Sequence, residues 1–132
     1  MCQLCMTSFV IFGLCLCTKR PESWPMKYAG TDRFPPSERY ESTSQIRRAA
    51  TSVAANIAEG NGQCYPAKEL NFINTSIGSL SETRYWLEFG RDQDFIAQSD
   101  YERVDALCVE ITKMLYGYMR RVKTVIDGGG AA

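Results

Sequence analysis

Beyond residue 40, apolar side chains recur every three or four positions. Ile46, Ala50, Val53 and Ile57 make one series, and Leu70, Ile73, Ile77, Leu80 and Leu87 a second, with Arg84 on the step between its last two members. A third runs through Val104, Leu107, Ile111, Met114 with Leu115, Tyr118, Val122 and Val125. This spacing puts each series on one face of an α-helix. No alternating run bounded by hairpin turns occurs, so nothing predicts strands.

Local punctuation sets the helix ends. Pro36 suits a first turn, and Glu38 beside it complements the helix dipole. Gly60, Asn61 and Gly62 supply left-handed residues to stop that helix. The second starts near Pro66 and runs to about Phe89, where "GRDQDFIAQ" breaks it. Ser99 and Glu102 have the spacing of a reciprocal capping box, which opens the third. In that helix the acids Asp100, Glu102 and Asp105 come early and the bases Arg120, Arg121 and Lys123 late, as the dipole favours. The predicted helices are therefore about 36–59, 66–89 and 100–125, within a bundle core at 33–126, and 127–132 reads as a flexible tail.

Residues 1–32 differ. Met1 to Thr18 is apolar without a clean face, so a helix there must be covered on most sides. Lys19 to Asp32, with Pro21, Pro25 and Gly30, reads as an irregular connector. The run "FVIFGLCLC" is far shorter than the roughly 20 residues a membrane span needs. Lys19 and Arg20 follow it rather than precede it, the wrong order for a signal peptide. Three long amphipathic helices with short breaks pack as an all-α, antiparallel up-and-down bundle. A fourth helix, atypical in sequence, has to come from the N-terminal segment.

Composition narrows the chemistry. The chain of 132 residues fits one domain, and its 15 basic and 15 acidic residues cancel. Neutrality counts against a protein drawn to nucleic acid by global charge, so such binding needs a local patch. There is no histidine, which removes imidazole acid–base catalysis, Ser-His and Cys-His pairs, and imidazole metal ligation. Among the six cysteines, the spacing of Cys2, Cys5, Cys15 and Cys17 matches no standard zinc site. Reduced, buried, inert thiols are expected, with Cys64 and Cys108 in helical contexts, and the protein is expected in the cytoplasm without metal or cofactor.

Arg47 and Arg48 stand out because no helical neighbour three or four residues away is acidic. Each faces water, an acid on another helix or subunit, or an anionic ligand. Their helix is rich in small residues (Ala49, Ala50, Ser52, Ala54, Ala55, Ala58), more than one partner's stripe requires, which suggests contact on two sides. Asn56 and Glu59 share a face near its end and read as a polar lock on the following turn. A catalytic Glu59 lacks a second acid or nucleophile nearby, so no catalytic residue is assigned. Arg84, Tyr85 and Trp86 suit either base stacking or a helix rim. Lys113, Arg120, Arg121 and Lys123 form the largest basic cluster, explained by the dipole or by an RNA backbone.

Several of these residues fall into one pattern. Phe34-Pro35, Glu38 and Tyr40, Gln45 to Ala49, and Asn56 to Gly60 occur in the order of a signature that resembles the 23S rRNA-intervening sequence protein family. Gly78, Ser79 and Glu82 resemble that family's second conserved helix, and 101–123 its last. The segment before Tyr28, Thr31 and Phe34-Pro35 departs from the family's long first helix. The resemblance implies a small bacterial four-helix bundle without enzymatic activity, with ring-like homo-pentamers among its relatives. A cousin, the accessory variability determinant protein of diversity-generating retroelements, is a basic pentamer that partners reverse transcriptase and RNA. By that analogy the chain is expected to associate with itself and with RNA or a ribonucleoprotein.

Overall fold

A computed structural model describes the backbone of residues 36–128, with side-chain surroundings from residue 41 except Thr43. The expectations for residues 1–32, including Cys2, Cys5, Cys15 and Cys17, lie outside the described residues. Those that are described form three α-helices and no strand. Helix α1 spans Pro36–Asn61, α2 Pro66–Asp92 and α3 Gln98–Gly128. Each begins or ends within three residues of the boundary its sequence predicts.

Consecutive helices run antiparallel. Ser52 of α1 meets Ser79 of α2, while Gly60, further along α1, meets Phe72, earlier in α2. Between α2 and α3, Arg84 meets Asp105 and Glu69 meets Tyr118. The predicted stripes form the core: Ile46, Val53 and Ile57 from α1, Leu80 and Leu87 from α2, and Cys108, Ile111 and Leu115 from α3, closed by Ile96 in the last turn. No helix among the described residues is long and apolar enough to cross a membrane.

The seam between α1 and α2 is small and polar rather than aliphatic. Ser76, Ser79 and Thr83 are buried on α2 at helical spacing, along the edge of the stripe that carries Leu80 and Leu87. Buried hydroxyls are costly unless hydrogen-bonded, and these are. Ser76 Oγ donates to the Val53 carbonyl across the seam at 3.1 Å, and Thr83 Oγ1 to the Ser79 carbonyl at 2.9 Å. Ser52 Oγ and Ser79 Oγ share a bond of 2.9 Å. Short side chains let the two backbones approach closely, and Gly60 marks the tightest point. A Cβ there would lie 2.9 Å from Phe72 Cβ and 3.5 Å from the Glu69 carbonyl oxygen.

The helix ends correct several expectations. Neither Gly60 nor Gly62 adopts the left-handed conformation predicted for them. Gly60 stays helical for packing, and α1 closes through tight bonds from Gly62 N to the Glu59 carbonyl and Gln63 N to the Gly60 carbonyl. The left-handed residue falls after α2, at Asp94 (φ 58°). Asp94 N donates to the Arg91 carbonyl and Phe95 N to the Gly90 carbonyl, the two bonds of a Schellman motif. The Ser99–Glu102 box does not form. The Ala97 carbonyl accepts from Tyr101 N, and Glu102 instead takes a bond from Gln98 Nε2 at 2.8 Å, so α3 opens one residue before Ser99.

Two members of the third stripe are also misplaced. Leu107 is 46% and Val125 61% exposed. Cys108 holds the inward position next to Leu107, and Val125 lies where α3, at 31 residues, outruns the 27-residue α2 packed against it.

Candidate interaction surfaces

Ion pairing sorts the cations. Arg84 Nε donates to Asp105 at 2.7 Å, and this hydrogen bond, strengthened by the carboxylate charge, holds the guanidinium pKa above its ordinary value. Arg91 bonds Asp92 at 2.7 Å and Glu88 at 3.3 Å, and lies 4.4 Å over the Tyr101 ring. Arg103 pairs with Asp100 at 3.3 Å. Arg84 is thus a structural tie between α2 and α3, which leaves Tyr85 and Trp86 without the cation expected beside them. Trp86 packs edge-on against Tyr85 and Phe89, with centroids 5.3 and 5.9 Å away, as a rim to the core.

Arg47, Arg48, Lys113, Arg120, Arg121 and Lys123 are all exposed, and none has an ion pair among the described residues. For the two arginines of α1, no other helix among the described residues supplies the acid missing along their own. Glu88 is bonded to Arg91, and exposed Glu82 has no bond among the described residues. Arg48 and Glu82 nevertheless stand at one level, each a turn beyond the Ser52–Ser79 contact. Half-buried Gln45 lies one turn before Arg48, its amide also without a bond.

The signature residues of α1 and α2 divide between the seam and the outer surface. Ser79 and Asn56 build the seam: Asn56 Nδ2 donates to the Ser52 carbonyl at 2.8 Å and to Ser52 Oγ at 3.0 Å. Gly60 lets the helices touch. Gly78 and Glu82 face outward, and a Cβ at Gly78 would meet nothing within 4 Å. The lock predicted between Asn56 and Glu59 is absent, because Asn56 turns back into its own helix while the Glu59 carboxylate is exposed and unbonded. Alanines divide similarly: Ala49 and Ala50 are buried, whereas Ala55 and Ala58 face outward near Arg47, Arg48 and Thr51.

The late basic cluster splits over two faces. Lys113, Tyr116, Arg120 and Lys123 follow at three- and four-residue steps along one outward stripe, while Arg121 turns toward the end of the bundle. There it lines a cleft of about 540 Å³ with Gln63, Cys64, Pro66, Glu69, Tyr118, Val122 and Val125. The Tyr118 hydroxyl reaches both Asn61 Oδ1 and Glu69 Oε1, so a single phenol of α3 meets the end of α1 and the first turn of α2. Cys64 is exposed in the turn before α2 rather than buried in a helix, while Cys108 is buried as expected. Dipole compensation, the alternative account of the basic cluster, weakens because α3 runs to Gly128 and its last turn holds no base.

The two cation groups do not form one patch. The Asn61–Tyr118 contact sets the level of α3 against α1. Arg48 stands roughly 20 Å from Arg120 along the bundle axis, at 1.5 Å per residue.

Among solved structures, a protein of unknown function from the S23 ribosomal protein family of Bacteroides thetaiotaomicron shares the fold. The TM-score is 0.57 and the identity 23%, over 88% of this chain and 93% of that one. No match is found among curated proteins. The model of the 23S rRNA-intervening sequence protein family matches residues 26–117, which include the seam, Arg47, Arg48 and most of α3. The chain belongs to the 23S rRNA-intervening sequence protein family.

Proposed function

We propose that the protein is a non-enzymatic, self-associating four-helix bundle that works in the cytoplasm as an adaptor or scaffold on RNA or a ribonucleoprotein. The observation that carries the RNA reading is the sorting of cations. Arg84, Arg91 and Arg103 are paired with acids, whereas the six exposed cations Arg47, Arg48, Lys113, Arg120, Arg121 and Lys123 form no ion pair among the described residues. Phosphates neutralise such side chains and release counterions, which gives affinity without global positive charge. Binding to a structured RNA at low salt is expected. It should weaken when Arg47 and Arg48, or Lys113, Arg120, Arg121 and Lys123, are changed to alanine. No binding at low salt, or binding indifferent to both sets, overturns the RNA reading.

A second reading makes the surface a protein interface alone. It is favoured by the outward small residues Ala55, Ala58 and Gly78 and by the unbonded Arg48 and Glu82. Small residues admit close approach of another helix, and Arg48 of one copy can meet Glu82 of the next. Light scattering across a dilution series tests the oligomer, a pentamer by family resemblance. If Arg48→Glu dissociates it and the added Glu82→Arg restores it, the arginine's partner is an acid rather than a phosphate.

A further inference from the structure

We propose that the α3 stripe of Lys113, Tyr116, Arg120 and Lys123 is a site for single-stranded RNA, in which an unpaired base stacks on Tyr116 and neighbouring phosphates lie against the three cations. This rests on the RNA reading above and adds which surface is used and what form of RNA it takes.

The stripe covers three helical turns, about 15 Å from Lys113 to Lys123. None of its cations forms an ion pair among the described residues, and the exposed acids Glu110 and Asp127 stand only at its two ends, three residues before Lys113 and four after Lys123, so Tyr116 and Arg120 have no acid three or four residues away. Positive charge at the middle of one helix face, free of ion pairs among the described residues, complements a phosphate backbone. Tyr116 sits in the middle of it, 50% exposed and stacked on no other aromatic ring among the described residues. Gly117 follows it, and a Cβ there would meet nothing within 4 Å, so a planar base can lie close to the helix beside the phenol.

Tyr85 makes the contrast. It is 60% exposed, yet its ring contacts Trp86 and its helical neighbours at three residues on either side are Glu82 and Glu88. A phosphate approaching that ring meets carboxylates. One approaching Tyr116 meets Lys113 and Arg120. Stacking on a tyrosine also needs a base free of its own helix, which a duplex does not offer without unpairing.

The test is fluorescence anisotropy of the full chain, at low salt, with a labelled single strand of mixed sequence and with the matching RNA duplex. The single strand is expected to bind more tightly. Tyr116→Ala should weaken it about 5- to 100-fold, and Tyr116→Phe, which keeps the ring, by no more than about twofold. Replacing Lys113, Arg120 and Lys123 together should lower the slope of log affinity against log salt by about 2. Equal affinity for the duplex, or a Tyr116→Ala variant that binds like the parent, overturns this site. If the parent binds RNA through Arg47 and Arg48 instead, the broader reading still stands. If the parent binds neither RNA at low salt, both fall.

Discussion

Replacing Gly60 by alanine would place a methyl carbon 2.9 Å from Phe72 Cβ and 3.5 Å from the Glu69 carbonyl oxygen. Neither neighbour is the loose end of a side chain: Phe72 Cβ is bonded directly to the α2 backbone. Relief therefore requires α1 and α2 to separate by several tenths of an ångström. That motion would stretch the Ser52–Ser79 and Ser76–Val53 hydrogen bonds along the same seam. Overpacking of this kind costs about 1–3 kcal/mol. Against it stands the intrinsic gain of glycine to alanine in a helix, up to about 1 kcal/mol. At the middle of the clash range the clash wins by about 1 kcal/mol, a fall in Tm of roughly 3–5 °C for a chain of this size. The same change at Gly78 or Gly117, where nothing lies within 4 Å, keeps only the gain and should raise Tm by roughly 2–5 °C. Thermal unfolding followed by circular dichroism, at one fixed protein concentration because association shifts apparent stability, reads both signs. A Gly60→Ala protein as stable as the parent refutes the close approach. A fall at Gly78, accompanied by a lower mass in light scattering, would mean that another copy covers that face.

Asp94 occupies a left-handed position that glycine adopts without strain, so Asp94→Gly should stabilise by about 0.5–1 kcal/mol, read as a higher urea midpoint. Ser76→Ala removes a fully buried hydroxyl and its bond to the Val53 carbonyl, and should cost about 1 kcal/mol in the same assay. Asp105→Asn removes a partly exposed ion pair. After allowance for solvent screening, the loss should not exceed about 1 kcal/mol. The hydrogen bond to Asp105 raises the Arg84 pKa above its ordinary value, so its contribution is fully present below the unfolded value and lost only as pH rises through the still higher folded one. The parent–variant difference in midpoint should therefore show no Arg84 titration across the neutral and moderately alkaline range.

What could be read from the sequence was the part governed by periodicity. Ile46, Val53 and Ile57 are buried as their spacing demands, and Pro36 and Pro66 open helices as proline in a first turn does. What escaped was decided by tertiary fit. Leu107 and Cys108 are adjacent and both apolar, and only the position of α2 turns Cys108 inward. Gly60 looked like a terminator because glycine ends helices often, but here a neighbouring helix needs its missing side chain. The hydroxyl series Ser76, Ser79 and Thr83 was legible in principle, having the same three- and four-residue steps as the apolar stripe. Hydroxyls are usually taken as surface, so the width of the packed face of α2 was not apparent. Tyr118 fitted an apolar stripe by spacing, yet its hydroxyl joins Asn61 and Glu69, residues far from it in the chain. At the candidate surface, the sequence could show that Arg47 and Arg48 lack an acid on their own helix. That no other described helix supplies one required the fold.

Zero net charge and RNA binding are compatible only if charge is distributed unevenly, and the ion pairs make it so. Asp105, Asp92 and Asp100 are held against arginines, leaving cations on α1 and on the outer stripe of α3 without an ion pair among the described residues. Because Arg48 and Arg120 are roughly 20 Å apart along the axis, a strand too short to span them engages one group at a time. A longer strand that reaches both converts the second contact into an intramolecular one, at high effective concentration. If both groups serve one RNA, affinity should rise steeply once the strand spans that distance, and Arg47→Ala with Arg48→Ala should abolish the rise while leaving short strands unaffected. If α3 acts alone, affinity should grow only gently with length, as the number of overlapping registers grows. A length series measured on the parent and on the Arg47/Arg48 double variant separates these outcomes. A steep rise that survives the loss of both arginines would refute the two-group arrangement, because no other exposed cations on α1 among residues 41–61 remain to produce it.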